Sequence, residues 1–165
     1  MTDLSARFSL PFILPGQAQK EAWHNEALAR IDAALHAAVE QGPLTTPPAD
    51  PEDGQCWIVA DGATGEWADR VDALACRTAG GWRFVAPVPG MLAWNLDLGC
   101  WLHWSGTAWS DGSLPTSALT IAGQQVVGPR LPDVPSPSGG TIIDAEARAA
   151  IDALIATLKS HGLID

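Results

Sequence analysis

The stretch QAQKEAWHNEALARIDAALHAAVEQ, residues 17–41, decides the interpretation of the fold because it contains no residue that breaks a helix. Ala, Glu, Gln, Leu and Arg, which lose little on entering a helix, make up most of it. Pro15-Gly16 precedes the stretch and Gly42-Pro43 follows it, so both ends carry residues typical of helix boundaries. We predict one long helix here, roughly 37 Å in length at ~1.5 Å per residue.

Three large aliphatic residues of this stretch, Leu28, Ile31 and Leu35, recur at helical spacing and form a narrow apolar stripe. A helix this long and this sparsely apolar is poorly suited to the interior of a small domain. We expect the stripe to pack against copies of itself in an oligomer, or to lie across a sheet. A surface helix on its own domain is the alternative that the sequence leaves open.

Proline and glycine divide the rest of the chain into segments. Residues 1–16 are predicted to be an extended arm, because Pro11 and Pro15 bracket its apolar residues and disfavour helix before them. Residues 42–53 are predicted to be a stiff linker, since the prolines there restrict φ and lack amide donors. The other predicted segments are a helical shaft at 17–41, a β-module at 54–112, an extended or β-type linker at 113–140 and an oligomerisation helix at 141–165.

Short strand patterns separated by glycine-containing turns fill the predicted β-module. β-Branched and aromatic side chains favour strands at 55–60, 74–78, 82–86, 92–96 and 100–104. Trp67, Trp82 and Trp109 each follow a glycine-containing turn, where an indole ring can cover a cross-strand pair. The pattern predicts an antiparallel meander whose core is built chiefly from tryptophan.

A second helix is predicted at the C-terminus. Asp144 is a suitable N-cap, and Gly162 suits the left-handed position after the last turn. The apolar stripe of this helix spans about two heptads, too few to associate unaided, and consists of Ala147, Ile151, Leu154 and Leu158. The sequence therefore indicates an α+β protein with a long N-terminal helix, a small Trp-rich antiparallel β-module and a short C-terminal coiled-coil helix, assembled as an elongated homo-oligomer.

Composition argues against several classes of partner. The formal net charge of −10 repels nucleic acid and anionic lipid, and no apolar run approaches the ~18 residues of a membrane span, so we expect neither nucleic-acid binding nor membrane insertion. The N-terminus lacks the pattern of a signal peptide. The cysteines are widely spaced and the histidines show no ligand spacing, so we expect reduced thiols, no metal and no cofactor.

Catalysis is not expected, and no catalytic residue is assigned. Carboxylates are frequent enough to leave a glycosidase pair, and hence a capsule depolymerase, as an open hypothesis. However, none of them lies in a stretch that explains a raised pKa, and turn carboxylates usually face solvent. The chain contains no phosphate-binding glycine loop and no serine nucleophile elbow.

Aromatic and polar residues concentrate in the last strands of the β-module. Strand alternation places Trp101 and His103 on one face and Leu102 and Trp104 on the other, so each face carries a tryptophan. An exposed indole beside polar side chains suits a pyranose ring, which stacks on the indole face. The predicted carbohydrate-binding residues are Trp94, Asn95, Asp97, Trp101, His103, Trp104 and Trp109. The alternative is that these tryptophans form the core or a subunit contact.

Two parts of the chain are similar to known phage proteins. The pairing of LPFILPGQAQK at 10–20 with HNEAL at 24–28 resembles the DUF2793 family of phage, prophage and gene-transfer-agent proteins. The segments GQCWIV at 54–59, GEW at 65–67 and GWRF at 81–84 resemble the β-region of the same family, so the resemblance covers about residues 10–109. The tail from Gly123 onward resembles a C-terminal module of phage tail and fibre proteins.

The resemblance implies a virion-surface fibre or spike of a phage-like particle or gene transfer agent, without catalytic residues. Its expected partners are two further copies in a homotrimer, other structural proteins of the particle and a bacterial capsule or envelope polysaccharide. It implies synthesis in the bacterial cytoplasm and assembly on the particle surface. A structural adaptor that binds no sugar is the alternative. The chain departs from the family pattern at Glu21-Ala-Trp23, where Trp23 is a candidate anchor on a neighbouring subunit.

Overall fold

The computed structural model describes residues 4–13, 20–142 and 144–165, which form two compact units, Met1–Leu114 and Pro115–Asp165. The elements of the first unit are α1 (Lys20–Ala34), β1 (Ala38–Val39), β2 (Cys56–Ile58), a 3-10 turn (Gly65–Trp67), β3 (Leu74–Thr78), β4 (Gly81–Val85), β5 (Leu92–Asn95) and β6 (Cys100–His103). Those of the second are β7 (Leu119–Ile121), β8 (Gln124–Val127) and α2 (Ala145–Ser160). The predicted α+β class is confirmed.

The first helix ends seven residues earlier than its composition predicts, at Ala34 rather than residue 41. His36 adopts a left-handed backbone conformation, with φ 46°, and the chain then enters β1. The parallel pairing of β1 with β5 supplies hydrogen bonds from outside the segment, and this non-local gain outweighs a local helix preference. Residues 17–19 of the predicted helix lie outside the described residues.

Residues 4–10, which we call the N-terminal clasp, are folded onto α1. The buried Asp32 carboxylate accepts hydrogen bonds from the Ser5 hydroxyl (2.7 Å), Arg7 N (2.9 Å) and Phe8 N (2.7 Å). The Arg7 guanidinium in turn donates to the carbonyls of Asp32, Ala33, Leu35 and His36. These contacts supply donors to carbonyls that have no partner at a helix C-terminus, and they explain why α1 ends where it does.

The strands of the first unit form two three-stranded sheets rather than the single meander that the sequence predicts. One sheet has the order β2-β3-β4 and is antiparallel throughout. The other has the order β1-β5-β6, in which β1 and β5 are parallel. The meander is wrong because Pro87 and Pro89 separate β4 from β5, and β5 pairs with the strand that was expected to be helical.

The proline-rich segment 42–53 does not hold the helix apart from the sheets. Leu44 N donates to Ile58 O (3.0 Å), and Ala60 N donates to Leu44 O (2.8 Å), so this segment runs beside β2. Proline restricts the backbone to extended conformations, which suit a path along a strand as well as a spacer. The predicted linker is therefore an integral part of the first unit.

Tryptophan forms one of the two cores of the first unit. Trp57, Trp67 and Trp82 are at most 9% exposed, and their ring centroids lie 5.1–6.4 Å apart in tilted or edge-to-face arrangements. The other core joins small α1 and β1 side chains to both sheets, and its buried members include Ala33, Val39, Cys56, Cys76 and Leu102. The predicted tryptophan core is confirmed by the cluster of Trp57, Trp67 and Trp82.

The second unit contains the β7–β8 hairpin and α2. Gly123 has φ 78° in the hairpin turn, a left-handed conformation that glycine adopts without strain. The Asp144 side chain accepts a hydrogen bond from Ala147 N (2.8 Å), and Gly162 has φ 68° just after α2, so both predicted helix ends are confirmed. Among its described residues, only Ile155 and Ile164 are buried apolar side chains.

Candidate functional site

The outer face of the β5–β6 hairpin presents two tryptophans side by side. Trp94 and Trp101 are cross-strand partners, with ring centroids 5.2 Å apart and ring planes at 75°. Leu92 and His103 are the next pair on the same face. We call these four residues the aromatic shelf. Trp101 is 37% exposed and Leu92 is 41% exposed, so the shelf is open to solvent.

Packing against Trp94 restrains the Trp101 ring. Edge-to-face aromatic pairs at this distance are favourable, so the indole has few alternative orientations. His103 lies two residues after Trp101 on β6. Its backbone N–H donates to Ser110 Oγ, and its carbonyl oxygen accepts from Ser110 N, each at 2.9 Å. The shelf is therefore built on a hydrogen-bonded backbone and carries one packed pair of indole rings.

The inner face of the same hairpin belongs to the core. Ala93 is 0% exposed and Leu102 is 3% exposed, while Trp101 on the other face is open, so the predicted alternation along β6 is confirmed. Asn95 also lies on the inner face and is fully buried. Its side-chain oxygen accepts a hydrogen bond from Leu98 N (2.9 Å) and shapes the following turn. Asn95 is therefore not part of the solvent-facing surface of the hairpin.

Two further tryptophans of the predicted site pack against each other. Trp104 is 7% exposed and its ring centroid lies 5.6 Å from that of Trp109. The Trp109 indole N–H donates to Asp72 O (2.9 Å), which joins this pair to the loop before β3. Trp104 is therefore buried, and Trp109 is half-buried where it packs against the core. The predicted residues that the hairpin does present are Trp94, Asp97, Trp101 and His103, with Asp97 in the exposed turn.

Leu92, Leu96 and Leu98 are exposed residues of the hairpin that the sequence interpretation omitted. Leu92 shares a face with Trp94, and this position follows from strand alternation alone. Leu96 and Leu98 lie in the turn between β5 and β6 and are 53% and 58% exposed. Leucine offers neither an aromatic face nor a polar group to a sugar, so residue type alone does not indicate these positions.

The predicted oligomer-contact residues are mostly exposed. On α1, Trp23 is 82%, Ile31 52% and Leu35 44% exposed, and Leu28 is half-buried. On α2, Leu154 is 64%, Ile151 43% and Leu158 38% exposed, and Ala147 is also exposed. These side chains leave an apolar surface on each helix without cover from its own unit.

A groove of about 810 Å³ lies away from the shelf, between the N-terminal clasp, α1 and the β3–β4 turn. Its lining contains several carboxylates, but those of Asp32 and Glu26 already have partners. Asp32 binds the clasp, and Glu26 contacts Arg83 Nε at 2.6 Å. Glu21 and Asp53 also line the groove, so the depolymerase hypothesis stays a prediction.

Within the part of the chain that the structure describes, no group of His, Cys, Asp or Glu is arranged to hold a metal ion. The same described residues include no helix with the length and apolar character needed to cross a bilayer.

The fold and the shelf define a small α+β module with an exposed aromatic surface. The family described as "Protein of unknown function (DUF2793)" matches residues 24–110, which is more than half of the chain. The chain therefore belongs to the DUF2793 family. The match includes the aromatic shelf and ends before the second unit begins. Comparison with curated proteins finds no match.

Proposed function

We propose that this protein is a surface fibre or spike component of a phage-like particle or gene transfer agent, and that its aromatic shelf attaches the particle to a polysaccharide of the host capsule or envelope. The observation that carries the binding role is the partly exposed Trp101 ring, supported edge-on by Trp94. The particle role rests on the resemblance of the chain to phage and gene-transfer-agent proteins.

The chemistry of the shelf suits a sugar ring. The apolar C–H face of a pyranose stacks on an indole, and its hydroxyls need polar partners at the edge. Asp97 in the adjoining turn and His103 beside Trp101 are placed to provide such partners. A restrained indole loses little conformational freedom on binding, which favours affinity.

Charge favours an uncharged polysaccharide. From residue 86 to residue 129 the chain contains no lysine or arginine, whereas Asp97 and Asp111 are present. The net charge of the whole chain is −10, so the protein as a whole repels uronic acids and phosphates. We therefore expect the shelf to bind neutral hexose polymers in preference to acidic ones.

Trp101→Ala tests the shelf. We expect at least about a tenfold loss of affinity for a neutral bacterial polysaccharide, because the stacking surface is removed while the inner face of the hairpin is retained. The measurement is binding to an immobilised panel of neutral and acidic bacterial polysaccharides. Val88→Ala is the control, since it shortens an apolar side chain that is 63% exposed and belongs neither to the shelf nor to the predicted oligomer contacts.

The outcomes of this assay separate the proposals. Unchanged binding of the Trp101 variant would exclude the shelf as the site. Trp101-dependent binding to acidic polymers would overturn the neutral specificity alone. Binding to no polysaccharide would favour the alternative function, a structural adaptor that links a receptor-binding protein to the particle. The exposed apolar residues of α1 and α2 support that alternative because they suit protein contacts.

A homotrimer is part of the proposal, and the second unit supplies its physical argument. This unit has only two buried apolar side chains among its described residues, Ile155 and Ile164, while Leu154 is 64% exposed. So little burial does not offset the entropy lost when a chain of this length is ordered. Packing of the α2 stripes from several copies would provide the missing burial.

Leu154→Asp tests the assembly. We expect the wild-type protein to have three times the 17.3 kDa chain mass by light scattering and the variant to fall to the monomer mass, because a charge placed among apolar stripes is costly to desolvate. Ala156→Asp places the same charge on the opposite side of α2 and should leave the mass unchanged. A monomeric wild-type protein at micromolar concentration would refute the trimer.

A further inference from the structure

Cys56 and Cys76 lie directly opposite each other on the antiparallel strands β2 and β3. Farther along this strand pair, Val59 N donates to Ala73 O (3.0 Å). Hydrogen-bonded and non-hydrogen-bonded pairs alternate along such a ladder, so the cysteines, three positions away, form a non-hydrogen-bonded pair. The Cα atoms of these pairs are about 4.5 Å apart, which lies within the roughly 4.4–6.8 Å that a disulfide spans.

The two sulfurs share one small buried space. Cys56 is 1% exposed and Cys76 is 2% exposed, and both are free thiols. The carbonyl oxygen of Gly54 lies 3.6 Å from Cys56 Sγ and 4.0 Å from Cys76 Sγ. A hydrogen bond between the two thiols and, to a smaller extent, burial raise the pKa of Cys56. The same hydrogen bond lowers the pKa of Cys76. Cys76 is thus the better nucleophile of the pair.

We propose that Cys56 and Cys76 are a site of covalent modification, a dithiol that a peroxide converts into an intrachain disulfide across β2 and β3. The Cys76 thiolate attacks one peroxide oxygen, the O–O bond breaks, and the leaving hydroxide takes up the thiol proton as water. The sulfur of Cys56 then attacks the sulfenic sulfur of Cys76, and the second oxygen leaves with the Cys56 proton as water. Two thiols lose two electrons, and one peroxide becomes two waters.

The third cysteine provides an internal comparison. Cys100 is half-buried and belongs to the other three-stranded sheet, where its cross-strand partner is Asn95. Its position in β6 therefore gives it no cysteine opposite. Oxidation should accordingly consume the thiols of Cys56 and Cys76 together and leave Cys100 available for alkylation.

The experiment treats the full chain with hydrogen peroxide, then unfolds it and alkylates it with N-ethylmaleimide. We expect intact mass to fall from three maleimide adducts to one, and peptide mapping to recover a cross-linked pair containing Cys56 and Cys76. Dithiothreitol should restore three adducts. Cys100→Ser should form the same cross-link, whereas Cys56→Ser should not.

The oxidised protein should also be more heat-resistant than the reduced protein. The bond closes the loop of residues 57–75, and restricting such a loop in the unfolded chain raises the melting temperature by about 10 °C for a domain of this size. Three adducts after peroxide treatment, separate sulfinic acids on the two residues, or a cross-link through Cys100 would each overturn the proposal. The peptide map of the oxidised wild-type protein detects the cross-link directly, so the test does not depend on whether a cysteine variant folds.

Discussion

Trp67→Ala should lower the free energy of unfolding by about 3–5 kcal/mol. Trp67 is 0% exposed and touches both other rings of the tryptophan core, with ring centroids 5.1 Å from Trp82 and 6.4 Å from Trp57. Alanine would leave a cavity the size of an indole in a cluster that short strands cannot collapse. Thermal unfolding followed by near-ultraviolet circular dichroism measures the effect.

Two further variants show whether the effect comes from packing. Among the described residues the Trp67 indole N–H has no hydrogen-bond partner, so Trp67→Phe removes an unsatisfied donor and should cost much less than alanine. Val88→Ala removes part of an apolar side chain that is 63% exposed and should leave the melting temperature nearly unchanged. Equal losses in the Trp67→Ala and Val88→Ala proteins would contradict the assignment of the core.

Asp32→Ala should release the N-terminal clasp and lower the free energy of unfolding by about 3 kcal/mol. The carboxylate is 3% exposed and accepts hydrogen bonds from the Ser5 hydroxyl and from the amides of Arg7 and Phe8. Loss of the carboxylate leaves these donors without their acceptor and weakens the attachment of Arg7 to the C-terminal end of α1. Urea unfolding gives the stability, and limited proteolysis reports whether the clasp opens.

Two matched variants test whether the loss of stability comes from the clasp contacts or only from the removal of a charge from a helix. Asp32→Asn retains one acceptor oxygen and the side-chain volume, so we expect an intermediate loss. Asp152→Ala removes an exposed acid from α2 and should change stability by less than about 0.5 kcal/mol. A clasp as protease-resistant in the Asp32→Ala protein as in the wild type would show that other contacts hold these residues.

Local signals predicted α2 and the hairpins well. The N-cap Asp144, the C-terminal Gly162 and the turn glycine Gly123 act within a few residues of their own positions, so their roles follow from sequence alone. The same holds for alternation along β6, which placed Trp101 and Leu102 on opposite faces. In each case the deciding interaction joins residues that are close in the chain.

The predicted binding residues show where local reasoning stops. Asn95, Trp101 and Trp104 have similar local surroundings, yet only Trp101 is exposed. Asn95 is buried on the inner face of β5, which packs into the core while the edge of β5 pairs with β1, and Trp104 is buried against Trp109. β1 is distant in the chain from Asn95, and a turn separates Trp109 from Trp104. Composition therefore could not distinguish a ligand-facing indole from a structural one.

The sequence by itself determined the α+β class, the position of α2, the strand patterns of the tryptophan module and the family resemblance, because these depend on spacing and on residue type. Only the tertiary structure decided that α1 ends at Ala34, that residues 38–39 form a strand and that the clasp closes beneath the helix. Those features depend on contacts between Arg7 and residues of α1, and between β1 and β5, which lie far apart in the chain. A helical composition expresses a preference of a few tenths of a kcal/mol per residue, and paired strands with a buried carboxylate outweigh it.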